Sequence, residues 1–149
     1  MRGYCEIGVY HTKHQVNIGT LWRSAYQCGA SGVFTIGKRY QEQASDTCKT
    51  TRHLPLRHYL TLNEWHTALP HGALVIGVEM GGEDLWTMTH PAKAVYLLGA
   101  EDHGLPPAVR AACHRIVSLK AVRIPSYNVA VAGSIVLYHR LMQMHQERS

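Results

Sequence analysis

Apolar positions in this chain fall into short runs separated by polar, helix-period stretches. Ile7 to Tyr10 is a β-branched and aromatic run that predicts a first strand. The period then changes: Ile18, Leu21, Trp22, Ala25 and Cys28 recur at helical spacing, with Asn17 as the expected N-cap and Gly29 as the stop. Val33 to Ile36 predicts a second strand, and the polar stretch from Arg39 to Arg52 a surface loop. Thr61 to Leu69 reads as a helix capped by Thr61, and Ala73–Val78 and Ala94–Leu98 read as buried strands. Pro106-Pro107 opens a short helix to about Cys113, because proline suits a first helical turn. Ile116 to Leu119 is the last expected strand. Asn128 to His145 is the longest expected helix, with Val131, Ile135, Tyr138 and Met142 along one face. Strands alternating with helices predict an α/β fold, a mostly parallel sheet flanked by helices. Ligands of such sheets bind beyond the carboxyl ends of the strands.

Composition narrows the class. The 149 residues are 46% hydrophobic and 17% charged, which excludes a disordered chain and fits a single domain over 1–149. Thirteen glycines and six prolines exclude a coiled coil, and no apolar run is long enough to span a membrane. The first residues lack a secretory pattern, and Cys5, Cys28, Cys48 and Cys113 form no closely spaced pair. The expectation is a cytoplasmic protein with reduced thiols and no metal, although His11 and His14 sit three apart. Lys and Arg total 15 against 10 Asp and Glu. Lys13, Arg23, Lys38, Arg39, Lys49, Arg52 and Arg57 crowd into the first 57 residues beside Tyr26, Tyr40 and Tyr59. A basic half of this kind fits a phosphate backbone, with solvated surface charge as the alternative.

Nucleotide signatures are absent. Gly32 to Lys38 has P-loop spacing, but Arg39 stands where Ser or Thr must hold magnesium, and Val-Phe-Thr-Ile between the glycines is strand-forming. Three other stretches carry more. Asn17-Ile18-Gly19 precedes Arg23, a charge in an apolar stretch, and is either an ordinary capped helix or a group that orients phosphate or hydroxyl. Gly99-Ala100-Glu101-Asp102-His103-Gly104-Leu105 links a strand to a helix and is either a plain turn or a cradle for a small polar ligand. Ser126-Tyr127-Asn128-Val129 opens the last helix, whose Ala130, Ala132, Gly133 and Ser134 admit another backbone, a cofactor or a second subunit.

In this order, the three stretches resemble the motifs of the SPOUT methyltransferases, and most of all the TrmH-like branch in its minimal, TrmL-like type. The pattern is an Asn-x-Gly helix start with Arg six after the Asn, a Gly-x-Glu-x-x-Gly-Leu turn, and a Ser-x-Asn-Val-x-x-Ala helix start. Here it is Asn17/Gly19/Arg23, Gly99/Glu101/Gly104/Leu105 and Ser126/Asn128/Val129/Ala132. The resemblance spans Tyr10 to Leu141 and implies a C-terminal deep trefoil knot, S-adenosyl-L-methionine as cofactor, a homodimer, and methylation of a ribose 2′-hydroxyl in RNA. Transfer RNA is favoured over ribosomal RNA, and a knotted RNA-binding protein without catalysis is the alternative. By motif position Arg23 is the catalytic arginine, held near Asn17 and Glu101, with Ser126 and Asn128 shaping the site. Cofactor contacts are expected from Val78, Glu79, Leu98, Gly99 and Val129, and from either Leu119 or Ile124. That last choice stays open because the Ile-Pro pair, Ile124-Pro125, stands directly before Ser126 instead of eight to ten residues ahead of the motif's Asn. The implied domain has no appended RNA-binding module.

Overall fold

The structure, a computed structural model, describes residues 3–37 and 53–148. The expected loop from Arg39 to Arg52 lies outside the described residues, as do Lys38 and Tyr40. Six strands, β1 (Tyr4–Tyr10), β2 (Gly32–Ile36), β3 (Leu56–Tyr59), β4 (Leu74–Asp84), β5 (Lys93–Leu98) and β6 (Arg115–Ser118), form one sheet in the order β3-β2-β1-β5-β4-β6. Every pairing is parallel. Helices α1 (Gln15–Gln27), α2 (Leu62–Thr67), α3 (Pro107–Ala111) and α4 (Val129–Glu147) connect and cover it. No helix among the described residues is long and apolar enough to cross a membrane.

Pleat alternation divides the core. Ile7, Val9, Tyr96 and Leu98 meet Ile18 and Leu21 of α1 and Val136 and Leu137 of α4 on one face. Phe34, Val75, Val95 and Leu97 meet Trp65 of α2 and Val109 of α3 on the other. Helix α1 follows β1 onto the first face, whereas α3 follows β5 onto the second. The chain therefore parts between the neighbouring carboxyl ends of β1 and β5, where open α/β sheets form a crevice. Register places Val9, Leu98, Val78 and Val117 in one line across four strands, so the loops after β1, β5 and β6 emerge side by side next to the continuing β4.

The expected elements are present, with three corrections. Asn17 does not cap α1: the helix starts at Gln15 after His14, whose side chain makes no cap bond, and Asn17 lies inside, 6% exposed. Strand β3 was not anticipated, because Leu-Arg-His-Tyr is half polar and only partly buried at the sheet edge. Strand β4 runs six residues past Val78 through Gly81 and Gly82, and its pairing with β6 shifts register between Val78 and Glu83. Gly82 is where Ile116 backbone passes too closely for a side chain. The caps at Thr61 and Asn128 are as expected, accepting from Glu64 N at 3.1 Å and Val131 N at 3.1 Å. Gly29, at φ +79°, ends α1. Gly32–Ile36 is strand β2 itself, which disposes of the P-loop spacing.

The small residues of α4 serve close helix packing. Gly133 lies against Leu21, Leu98 and Ile7 with no room for a Cβ, and Ser134 Oγ is 2.7 Å from Ser24 Oγ of α1. Below them runs a buried polar chain. Arg140 donates to Pro91 O at 2.6 Å, Ala92 O at 2.9 Å and Tyr96 Oη at 3.3 Å. Tyr96 Oη is 2.5 Å from His90 Nδ1, and His90 Nε2 is 2.8 Å from His139 Nδ1. Arginine only donates, so Tyr96 accepts from it and passes its own proton toward His90. His90 then donates from Nε2 to His139.

Burial, with His139, Arg140 and Arg115 nearby, pushes the His90 imidazole from 6.5 down to about 3, and burial lowers His139 as well. The unfolded chain therefore binds more protons below pH 6.5, so stability present above that pH is lost on acidification toward 3. Urea midpoints should fall between pH 6.5 and 5, above the usual carboxylate range, and a His90→Asn variant should show a flatter slope there. Equal slopes for the two proteins would exclude His90 as the source.

Candidate active site

Glu101 lies in the loop that leaves β5, and its carboxylate accepts four hydrogen bonds from the segment that leaves β1. Oε2 takes Lys13 N at 2.8 Å; Oε1 takes Asn17 Nδ2 at 2.7 Å, Thr12 Oγ1 at 3.1 Å and His14 N at 3.3 Å. The carboxylate thus supplies from 87 residues away the anionic cap that α1 does not carry itself. Burial opposes its charge, but the bonds from Lys13, Asn17 and His14 prevail and hold the carboxyl below its usual range. Lys13 Nζ pairs with Asp102 at 2.5 Å and fastens the same two loops at the surface.

Asn17 is the relay. Its Oδ1 accepts from Asn128 Nδ2 at 3.1 Å while its own Nδ2 is given to Glu101. Asn128 Oδ1 in turn caps α4. Each amide is fixed in orientation by its partners, and three segments distant in sequence are locked in one chain of bonds.

A cleft of about 210 Å³ opens beside this chain, at the carboxyl end of β5 and against Val78, Glu79 and Met80 of β4. Val78, Glu79, Leu98, Gly99, Leu119 and Val129, all expected cofactor contacts, line it together with Glu101 and Ser126. Ile124 does not line it and is 78% exposed, so between the two alternatives the cleft contains Leu119. Glu79 accepts from Leu105 N at 2.7 Å and Met80 N at 2.9 Å, which braces the far wall. Gly104, at φ +62°, packs on that carboxylate where a Cβ would collide. Met80, next to the expected Glu79, was not anticipated as a lining residue, and Tyr127 and Ala132 line the cleft beside motif positions.

Arg23 stands apart. It is exposed on α1, does not line the cleft, and hydrogen-bonds to no described residue. Six residues beyond Asn17 is about 1.7 helical turns, which carries it to another side of the helix. The expected basic surface is also reduced among described residues: Lys13 is paired with Asp102 and Arg57 with Glu6 at 2.9 Å. Lys38, Arg39, Lys49 and Arg52 lie outside the described residues.

Residues 5–138 match a model described as the SpoU rRNA methylase family. The chain belongs to that family. The match encloses all three motif stretches, and it bears out the resemblance to SPOUT methyltransferases at the level of the family. A relative in Archaeoglobus fulgidus, described as an uncharacterized tRNA/rRNA methyltransferase, is 28% identical over 130 residues. That alignment covers 83% of this chain and 58% of the relative, so the chain spans less than two thirds of the relative's length. A solved structure described as giving insights into the 2-OH methylation of C/U34 on tRNA superposes with a TM-score of 0.85 at 23% identity, over 98% of this chain and 99% of that one. The SpoU methyltransferase AviRb of Streptomyces viridochromogenes, in complex with AdoMet, gives 0.84 at 22% identity, over 97% and 59%. The TrmH/SpoU tRNA modifying enzyme of A. aeolicus gives 0.86 at 14%, over 99% and 78%. These structures share the fold.

Removing the Glu101 carboxylate leaves Lys13 N, His14 N and the Asn17 amide without their acceptor. Glu101→Ala should lower unfolding free energy by roughly 1–3 kcal/mol, the usual cost of stranding such donors. Urea denaturation measures it, and a loss under about 0.5 kcal/mol, the low end for a single hydrogen bond, would show that the clamp is not structural.

Proposed function

We propose that this chain is an S-adenosylmethionine-dependent RNA methyltransferase that acts on a ribose 2′-hydroxyl, with transfer RNA as substrate. The observation that carries the reading is the bonded chain Glu101–Asn17–Asn128 beside a cleft at the sheet's carboxyl edge. The cleft fits the cofactor chemically. Val78, Leu98, Leu119 and Val129 offer apolar faces for an adenine, backbone edges run from Leu98 to Gly104, and Glu79 and Glu101 suit a sulfonium and an α-ammonium cation. The solved structures described by AdoMet and by 2-OH methylation of tRNA support cofactor and hydroxyl alike. The family's description favours ribosomal RNA as the second substrate reading.

Bound S-adenosylmethionine supplies an electrophilic methyl group, and the residues here orient the hydroxyl and manage its proton. Glu101 is a poor base, since both its oxygens are taken and its carboxyl is held ionised by donors it cannot leave. Ser126 lines the cleft, and in this reading it meets the ribose. Arg23 lies outside the cleft of its own chain, so in this reading it acts where bound RNA or a second copy brings it to the hydroxyl, which it orients while its positive charge stabilises developing alkoxide. Holding reactants aligned accounts for as much as roughly 7–11 kcal/mol of a barrier. The reading includes the trefoil knot and the minimal, TrmL-like type.

A homodimer belongs to the same proposal. Val131, Ile135, Tyr138 and Met142 of α4 face outward and, with Trp86 and Leu85, line an apolar groove of about 540 Å³. Contiguous apolar surface of that kind is the mark of an interface. Light scattering on the eluting protein should give twice the chain mass, and Ile135→Asp should reduce it to one; an unchanged mass in the variant would move the interface elsewhere.

Arg23→Ala should abolish methyl transfer to RNA while calorimetric uptake of S-adenosylmethionine is unchanged. Wild-type turnover in that variant would remove Arg23 from the reaction.

A further inference from the structure

One exposed feature has no part in the site above. Tyr26, on α1, is 44% exposed, and its ring lies 5.5 Å from that of exposed His53 at an interplanar angle of 25°, a stacked pair. The pair is held in place from beneath. Trp22 Nε1 donates to Leu54 O at 3.0 Å, and Leu54 is buried, so the backbone beside His53 is pinned to the helix that carries Tyr26. Tyr26 follows Arg23 by three residues, which puts the two side chains on one side of α1 with Cβ atoms roughly 5–6 Å apart. Arg23 is the only charged residue of that helix, Gln15–Gln27. A cation with no ion pair among described residues therefore stands beside a stack of two exposed aromatic rings.

That combination suits RNA better than a folded protein surface. A phosphate or ribose meets the guanidinium, and the neighbouring base finds a ring face on which any base can stack. We propose that the Tyr26–His53 stack is a base-stacking subsite, which holds a nucleobase of single-stranded RNA next to the nucleotide that Arg23 engages. The inference rests on the RNA-methyltransferase reading and adds to it where the RNA lies: along the exposed side of α1, with Tyr26 as a positioning residue for the substrate.

The test is fluorescence anisotropy of the full chain with a labelled dodecamer of oligouridylate, together with calorimetry of S-adenosylmethionine. Tyr26→Phe keeps the ring and should bind the dodecamer within about twofold of wild type. Tyr26→Leu keeps apolar bulk without a stacking face and should bind at least about fivefold more weakly. His53→Leu should weaken binding in the same direction, and it serves as the second variant if Tyr26→Leu melts early. Cofactor uptake should be unchanged in all three. Wild-type affinity in both leucine variants, or no binding of the dodecamer by wild-type protein, overturns the subsite. Failure of the wild type to take up cofactor, with ring-dependent RNA binding retained, supports the subsite and overturns the methyltransferase reading instead.

Discussion

The Glu101 carboxylate is the group on which the arrangement depends. A parallel sheet that sends α1 to one face and α3 to the other opens a crevice between β1 and β5, and loops on its two lips have no reason to stay together. Glu101 closes one end of it by accepting Lys13 N, His14 N, Thr12 Oγ1 and Asn17 Nδ2. Its negative charge sits at the amino end of α1, where the helix dipole favours it. The carboxylate is only partly buried and its partners are neutral, so its charge is stabilised by hydrogen bonds instead of an ion pair.

From that clamp the rest of the site follows. Asn17 is immobilised by Glu101 and immobilises Asn128, and Asn128 sets the start of α4. Helix α4 then packs on α1 through Gly133 and Ser134, which keeps Val129 and Ala132 at the cleft wall. At its other end the same helix buries Arg140 in a chain that runs through Tyr96 and His90 to His139, a residue that also lines the outward apolar groove. One helix thus connects the cleft, the core and the outward apolar groove.

Much of the fold was legible because strands buried on both faces read as continuous apolar runs, as at Val75–Val78 and Ala94–Leu98. What was not legible has a physical cause in each case. The edge strand Leu56–Tyr59 carries Arg57 and His58 because only part of it is buried. The extension of β4 contains two glycines, since Ile116 passes close to Gly82. Asn17 resembles an N-cap, and periodicity gives no sign that the cap comes from residue 101 instead. The site is similar: residues 17, 101 and 128 were grouped by resemblance to a family, and no local spacing could have shown their bonds. Arg23 was read with them, yet the helix turns it away from both Asn17 and Glu101.

Ribose methylation is tested most directly by transfer of labelled methyl from S-adenosylmethionine to bulk transfer RNA by the full chain, followed by alkaline hydrolysis. A methyl on the ribose 2′-oxygen blocks cleavage at its own phosphodiester, so label is expected in alkali-stable dinucleotides. Label recovered in mononucleotides would place the methyl on a base and contradict it, as would the absence of transfer to RNA of any kind.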